Sequence, residues 1–308
     1  MLGPVLLAAA RSDRMRRVIA AAPLTRPVVN RFVAGDALRP ALSTVRSLAD
    51  AGLDVTLDHL GEDVTDKATA HATRDAYLRL LESLRDERLG DRAEVSVKLS
   101  AFGQALPGGH DIALEGVRQV AELATAIGTT VTLDMEDHTT VDSTLAIVRE
   151  LRAHHPRTGA VLQSYLFRTE EDARALATAG SRVRLVKGAY KEPASVAHQD
   201  KKDVDLAYVR VLRILFAGEG YPMVGSHDPR MIAIAQELAV RGHRAPDSYE
   251  FQMLYGIRTA EQRRLAAEGA RMRVYVPYGA DWYGYFMRRL AERPANLAFF
   301  LRSFSPTR

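Results

Sequence analysis

Cysteine is absent from all 308 residues. Thiol nucleophiles, disulfides and thiolate metal sites are thereby excluded, and a reducing compartment fits. Long apolar runs are missing too. The apolar stretch at residues 2–10 is far too short to span a bilayer, and no basic segment precedes it as a secretory signal requires. Cytoplasmic location is the default expectation. No basic block interleaves with aromatics and the formal net charge is only +4, so nucleic-acid binding has no support. No G-x-G-x-x-G follows a strand-like run and no Walker A sequence occurs, which removes two common nucleotide cradles. No linker or low-complexity stretch divides the core.

What is present is regular. With 47% hydrophobic and 26% charged residues, the chain has the composition of a globular protein with a large core. From about residue 53 one pattern repeats: a short β-rich run, a turn, then an amphipathic helical stretch. Candidate strands fall at 55–58, 94–99, 130–135, 160–165, 182–187, 221–226, 249–254 and 272–277. Helical patterns lie between them, among others at 111–127, 141–154, 169–179, 203–217 and 229–241. Strands alternating with helices imply a parallel sheet, because a parallel crossover needs a helix-length connection. Eight such units match a closed (βα)8 barrel of the TIM type, with an open doubly wound sheet as the alternative. The expected division is an N-terminal helical arm, 1–50, and a barrel with a C-terminal helical tail, 51–308.

Barrel active sites lie at the C-terminal strand ends, and here those ends are polar. They carry Lys98, Asp134, Gln163, Arg184, Lys187, Ser226, His227, Gln252 and Tyr275. Any one of these can be a satisfied structural residue, but a full ring is harder to explain that way. Lys98, Arg184, Lys187 and His227 face one evident acid, Asp134, so an electropositive mouth and an anionic ligand are expected. Gly188 would let backbone approach such a ligand closely. Asp134, Glu136, Asp137 and His138 are dense in metal-ligand types, yet Asp137 to Thr140 also reads as a helix start, and no metal is expected. A helix after the last strand carries Arg288 and Arg289, with Tyr285 and Glu292 one turn to either side. Two adjacent guanidinium forks suit a small carboxylate, or they form a solvated basic turn.

Several motifs in this order resemble the proline dehydrogenase family: LDMED at 133–137, RLVKGAY at 184–190, Ser226-His227, FQMLYG at 251–256, and YVPYG with WYGYFMRRLAE within 275–292. The resemblance implies a distorted barrel whose eighth helix covers the mouth and which binds FAD without a Rossmann fold. Carried over residue by residue, it implies FAD contacts from Met135, Gln163, Arg184, Val186, Lys187, Gly188, Ala189, Ser226 and His227. Lys98, Arg288 and Arg289 would hold the substrate carboxylate, with Glu292 orienting the arginine pair. Leu254, Tyr275 and Tyr285 would close on the proline ring, while Asp134 and Arg184 would serve the chemistry. The implied reaction takes L-proline to Δ1-pyrroline-5-carboxylate and passes the electrons to a quinone, which allows a peripheral contact with the inner face of a membrane. The chain has no room for the aldehyde-dehydrogenase domain of bifunctional relatives, so a separate pyrroline-5-carboxylate dehydrogenase is expected. Tyr275 would crowd a ring hydroxyl, so proline is expected over hydroxyproline. Two other classes stay open on the residues alone. One is a Schiff-base lyase using Lys98 or Lys187, the other a non-catalytic anion-binding barrel.

Overall fold

Eight short strands pair only in parallel, in sequence order, and the last closes on the first. The closed barrel, rather than the open sheet, is the architecture of this chain. A computed structural model describes residues 26–292. The expectations for residues 2–10 and for the tail beyond 292 lie outside them. Two helices lead in, α1 (Arg26–Asn30) and α2 (Leu38–Asp50). The barrel then alternates β1 (Asp54–His59), α3 (Lys67–Asp86), β2 (Ala93–Val97), α4 (Gly109–Ala126), β3 (Val131–Leu133), α5 (Val141–Arg152), β4 (Gly159–Gln163) and α6 (Thr169–Leu176). It continues with β5 (Arg182–Val186), α7 (Lys201–Ala217), β6 (Tyr221–Gly225), α8 (Pro229–Arg241), β7 (Glu250–Leu254), α9 (Thr259–Ala267), β8 (Met272–Tyr278) and α10 (Trp282–Glu292).

The helix starts follow local chemistry. Asp66, Asp200 and Asp228 each accept a backbone N–H of the first turn, at 2.8, 2.7 and 3.0 Å, and Pro229 stands at the start of α8 where no N–H is needed. The strand ends depart from expectation. β2 stops at Val97, and a 3-10 turn, Leu99–Phe102, takes over after Lys98. β3 stops at Leu133, before the LDMED acids.

Strand alternation sorts the side chains into two populations. Val55, Leu57, Val95, Val97, Leu185, Phe251, Met253 and Val274 point outward into the main core beneath the helices. The barrel interior is filled by polar groups, where layers of branched aliphatics are usual. Glu94, Arg182, Glu250 and Arg273 are all buried there. Arg182 Nη2 donates to Glu94 Oε2 at 2.6 Å, Thr56 Oγ1 to Glu94 Oε1 at 2.9 Å, and Arg273 Nε to Glu250 Oε1 at 2.8 Å. Such groups are tolerable in a barrel floor only because they pair with one another.

The first and last described segments frame the mouth. α2 packs on β1 and β8, with Ala41, Leu42 and Val45 in the main core, and so fills the outer position that an eighth crossover helix would take. α10 does not join that ring. Its Tyr283, Tyr285, Phe286 and Met287 form a second apolar cluster with Val28, Val29, Phe32 and Val33, closed by Leu60 and Ile257 from the turns after β1 and β7. Gly256 makes this docking possible. Its φ is +72°, and a Cβ there would meet the Arg31 carbonyl oxygen at 1.8 Å. Among the described residues no helix is long and apolar enough to cross a membrane.

Candidate active site at the barrel mouth

Arg184, Asp134 and Tyr275 converge from three strand ends on one point. Arg184 Nη1 donates to Asp134 Oδ1 at 2.6 Å, and the Tyr275 hydroxyl donates to Asp134 Oδ2 at 2.6 Å. Ser96 Oγ donates to Asp134 at 2.7 Å. The guanidinium also lies 5.3 Å from the Tyr275 ring centre. Three donors fix both oxygens of the Asp134 carboxylate in place, which suits an orienting anion. Burial, with Asp134 and Asp58 beside it, pushes the Tyr275 phenol well above its ordinary value, so it stays a neutral donor.

Lys98 Nζ donates to Asp58 Oδ2 at 2.7 Å and stands 4.0 Å from Asp134 Oδ2. Burial opposes its charge, but Asp58, Asp134 and Glu62 outweigh that and hold the ammonium above the ordinary lysine value. A Schiff-base amine needs the opposite shift. Lys187 suits that role no better, being held by Asp205 Oδ1 at 2.5 Å and Asp228 Oδ2 at 3.0 Å.

α10 brings Arg288 to the same place. Arg288 donates both Nη atoms to Glu62, at 2.8 and 3.3 Å. Lys98 and Arg288 both feel Glu62 and Asp58, so the two cations share one neighbourhood. Arg289 lies 5.1 Å from the ring centre of Tyr285, the one-turn spacing expected of residues four apart. Tyr285 is buried in the second cluster, and Leu254 packs against it. The Glu292 side chain lies outside the described side chains.

The expectation of a mouth with a single acid is corrected. Asp58 answers Lys98, Glu62 answers Arg288, and Asp205 and Asp228 together answer Lys187, so these charges are balanced locally. Alternation along β1 could have flagged Asp58 as a strand-end residue; Glu62 lies in the following loop and has no sequence signal. Tyr190 was passed over as well. The residue is 38% exposed, while burial of its hydroxyl, with Glu136 and Glu62 nearby, holds it above the usual phenol value.

The acids after β3 have structural employment. Glu136 accepts Ser100 N at 3.0 Å and Ser100 Oγ at 2.6 Å, which locks the turn following Lys98. Asp137 caps the next turn by accepting Thr139 N at 2.8 Å. His138 turns away to Glu192, whose Oε1 accepts His138 N at 2.9 Å.

Residues expected at a cofactor wall lie along β3 to β6. Gln163 donates to the Met135 carbonyl at 3.4 Å. His227 Nε2 accepts the Leu254 N–H at 2.9 Å, so that nitrogen is unprotonated and ties the ends of β6 and β7 together. Ser226 Oγ accepts the Asp228 N–H at 3.1 Å. Val186, Lys187, Gly188 and Ala189 continue from β5 into the mouth, Ala189 exposed and the others partly buried. Gly188 has φ +116°, and a Cβ there would meet the Tyr165 ring at 2.5 Å, so a packing requirement accompanies any role toward a ligand. Burial alone would raise the Asp205 carboxyl, but hydrogen bonds from Lys187, Lys201 and Arg230 hold it down at about 2. Among the described residues, three buried polar atoms here find no hydrogen-bond partner: Gln163 Oε1, Ser164 Oγ and Arg184 Nη2. Orphaned acceptor and donor atoms on adjoining strands suit a flat heterocycle that carries both N–H donors and carbonyl acceptors.

The family profile described as Proline dehydrogenase matches residues 41–302. Proline dehydrogenase 1 of Bacillus subtilis is 42% identical over 279 residues, covering 90% of this chain and 91% of that protein. Proline dehydrogenase of Deinococcus radiodurans is 42% identical over 277 residues, covering 88% of each chain. Among solved structures, proline utilization A (PutA) from Bdellovibrio bacteriovorus, inactivated by N-propargylglycine, superposes with a TM-score of 0.81 at 23% identity. That likeness covers 96% of this chain and 35% of the larger one, and it supports the barrel fold.

Proposed function

Given that this chain belongs to the proline dehydrogenase family and oxidises L-proline in the first step of proline catabolism, we propose that it does so with FAD held at the barrel mouth. The observation that carries this reading is the Arg184–Asp134–Tyr275 centre, with its orphaned Arg184 Nη2, set beside a second cationic group of Lys98 and Arg288. When bound, FAD supplies the two-electron acceptor for a hydride. Met135, Gln163, Arg184, Val186 to Ala189, Ser226 and His227 would hold it, and the orphaned Gln163 and Arg184 atoms would be available to its polar ring atoms.

The chain's own part is positioning. Lys98, Arg288 and Arg289 take the proline carboxylate. Because Glu62 occupies the Arg288 fork, the substrate carboxylate must replace one anion with another, which keeps the clamp neutralised in both states. Leu254, Tyr275 and Tyr285 confine the pyrrolidine ring and exclude water. The ring nitrogen must be neutral, since its lone pair supports the C=N bond as hydride leaves the neighbouring carbon. Asp134 and Tyr275 are each committed to the other, so neither takes the amine proton. Arg184 places positive charge where electron density accumulates. The product is Δ1-pyrroline-5-carboxylate.

The catalytic unit we propose is the barrel of residues 51–308, with the preceding segment (1–50) closing its outer layer and mouth through α2 and α1. Electrons pass on to a quinone. Quinones dissolve in membranes, so a cytoplasmic enzyme discharging into one needs peripheral contact at the inner face, which the basic pI of about 9.3 favours. A separate pyrroline-5-carboxylate dehydrogenase then consumes the product. The test is optical: the flavin band of the purified protein bleaches on anaerobic addition of L-proline. A protein that stays colourless after incubation with FAD overturns the reading. Tyr275 is pinned by Asp134 and cannot swing away from a ring hydroxyl, so kcat/KM for L-proline exceeds that for hydroxyproline; equal values remove Tyr275 from ring selection.

A further inference from the structure

Arg184 is aimed by more than Asp134. Its Nε donates to Gln252 Oε1 at 2.5 Å, and Gln252 Nε2 donates to Glu250 Oε1, also at 2.5 Å. Gln252 and Glu250 are both buried, at 4% and 0% exposure. Glu250 is gripped in turn by Arg273, through Nε at 2.8 Å and Nη2 at 3.2 Å. Burial alone would neutralise Glu250, but Arg273 and Arg182 keep it ionised. An ionised carboxylate only accepts hydrogen bonds, so the Gln252 NH2 must face it and the Gln252 carbonyl must face Arg184. The reversed amide would set oxygen against oxygen and N–H against N–H. Gln252 is therefore an adapter with one allowed orientation, joining the ionic floor of the barrel to the guanidinium at its mouth.

We propose that Gln252, oriented by Glu250, is a positioning residue for proline oxidation: it holds Arg184 so that Nη1 meets Asp134 and Nη2 stays available to the flavin. The proposal rests on the assignment of Arg184 to the flavin. With Gln252 holding Nε and Asp134 and Ser96 sharing Nη1, the guanidinium cannot rotate, and Nη2 has no hydrogen-bond partner among the described residues. Glu94 Oε1 lies 3.8 Å from it.

Gln252→Met keeps the volume and removes both hydrogen bonds. Gln252→Glu keeps the shape, and a carboxyl so close to Glu250 retains a proton between the pair, restoring a donor toward Glu250 and an acceptor toward Arg184. The flavin-loaded variants are compared for kcat, KM for L-proline and flavin midpoint potential. In Gln252→Met, kcat is expected to fall about tenfold or more while KM stays within about twofold. The potential shifts negative, and Gln252→Glu recovers both values. Wild-type kcat and potential in Gln252→Met overturn the proposal, as does equal loss in Gln252→Met and Gln252→Glu. If Gln252→Met does not fold, Gln252→Asn, polar but one methylene too short to reach both partners, carries the same expectation and the same overturning result. Arg184→Gln separates the two levels. If it keeps wild-type kcat and potential, the assignment of Arg184 falls and the proposal with it; if it loses them while Gln252→Met does not, the proposal alone falls.

Discussion

Arg288 and Arg289 stand side by side in sequence and do different things in space. Arg288 makes a two-pronged ion pair with Glu62, while Arg289 packs on the Tyr285 ring. The helix separates them by about 100°, so neighbouring side chains face different partners. Arg288 is the one whose fork already grips a carboxylate, and it should grip the substrate's. Replacing it with alanine removes charge-assisted hydrogen bonds and is expected to raise KM for L-proline on the order of 10- to 100-fold with kcat changing less. Flavin absorbance in the purified variant checks the assignment: full retention is expected, and loss of the flavin moves Arg288 out of substrate binding. At this scale the sequence was informative about residue type and poor about partners. The ring of Lys98, Asp134, Arg184 and Tyr275 was legible as polar residues in or at the ends of β-rich runs. Glu62 was not, because its importance arises only where Arg288 comes to meet it, 226 residues further on.

Among the elements, α10 departs from the repeating pattern, and the cause is apolar burial. A helix carrying Tyr283, Tyr285, Phe286 and Met287 needs an apolar partner, and α2 already covers the outer seam between β8 and β1. The partner is the segment from Val28 to Val33, which docks across the turns after β1 and β7. Gly256→Ala tests this docking. Alanine is strained at φ +72°, and its Cβ would strike the Arg31 carbonyl, so the segment must lift. The expected outcome is a lower Tm and a raised KM for L-proline with the barrel intact by far-UV circular dichroism; an unchanged KM would show that this docking does not position α10. The starts of α5, α6 and α8 were readable in advance because helical periodicity is a local signal. The ends of β2 and β3 were not, since local β propensity runs on past Val97 and Leu133 while the chain turns away to present Lys98 and Asp134.

For the molecule as a whole, the unusual property is an ionic barrel interior. Glu94 collects Arg182, Thr56 and Thr132, and lies 3.9 Å from Arg273 and 3.8 Å from Arg184. Glu94→Gln leaves buried guanidinium groups without their counter-charge and is expected to cost about 3–5 kcal/mol, measurable as a lower urea midpoint. A loss within about 0.5 kcal/mol, the scale of an ordinary surface substitution, would mean that the floor charges are already balanced without Glu94. The sequence by itself determined the eight-fold βα repeat, its parallel strands, the polar strand ends and the family motifs. These are consequences of period and local chemistry, which act over a few residues. Tertiary structure alone decided which charges meet, that the mouth is locally neutral, and that α10 rests on α1 and the residues just after it. Those outcomes depend on strand register around a closed barrel, which brings Tyr275 to Asp134 across 141 residues of chain.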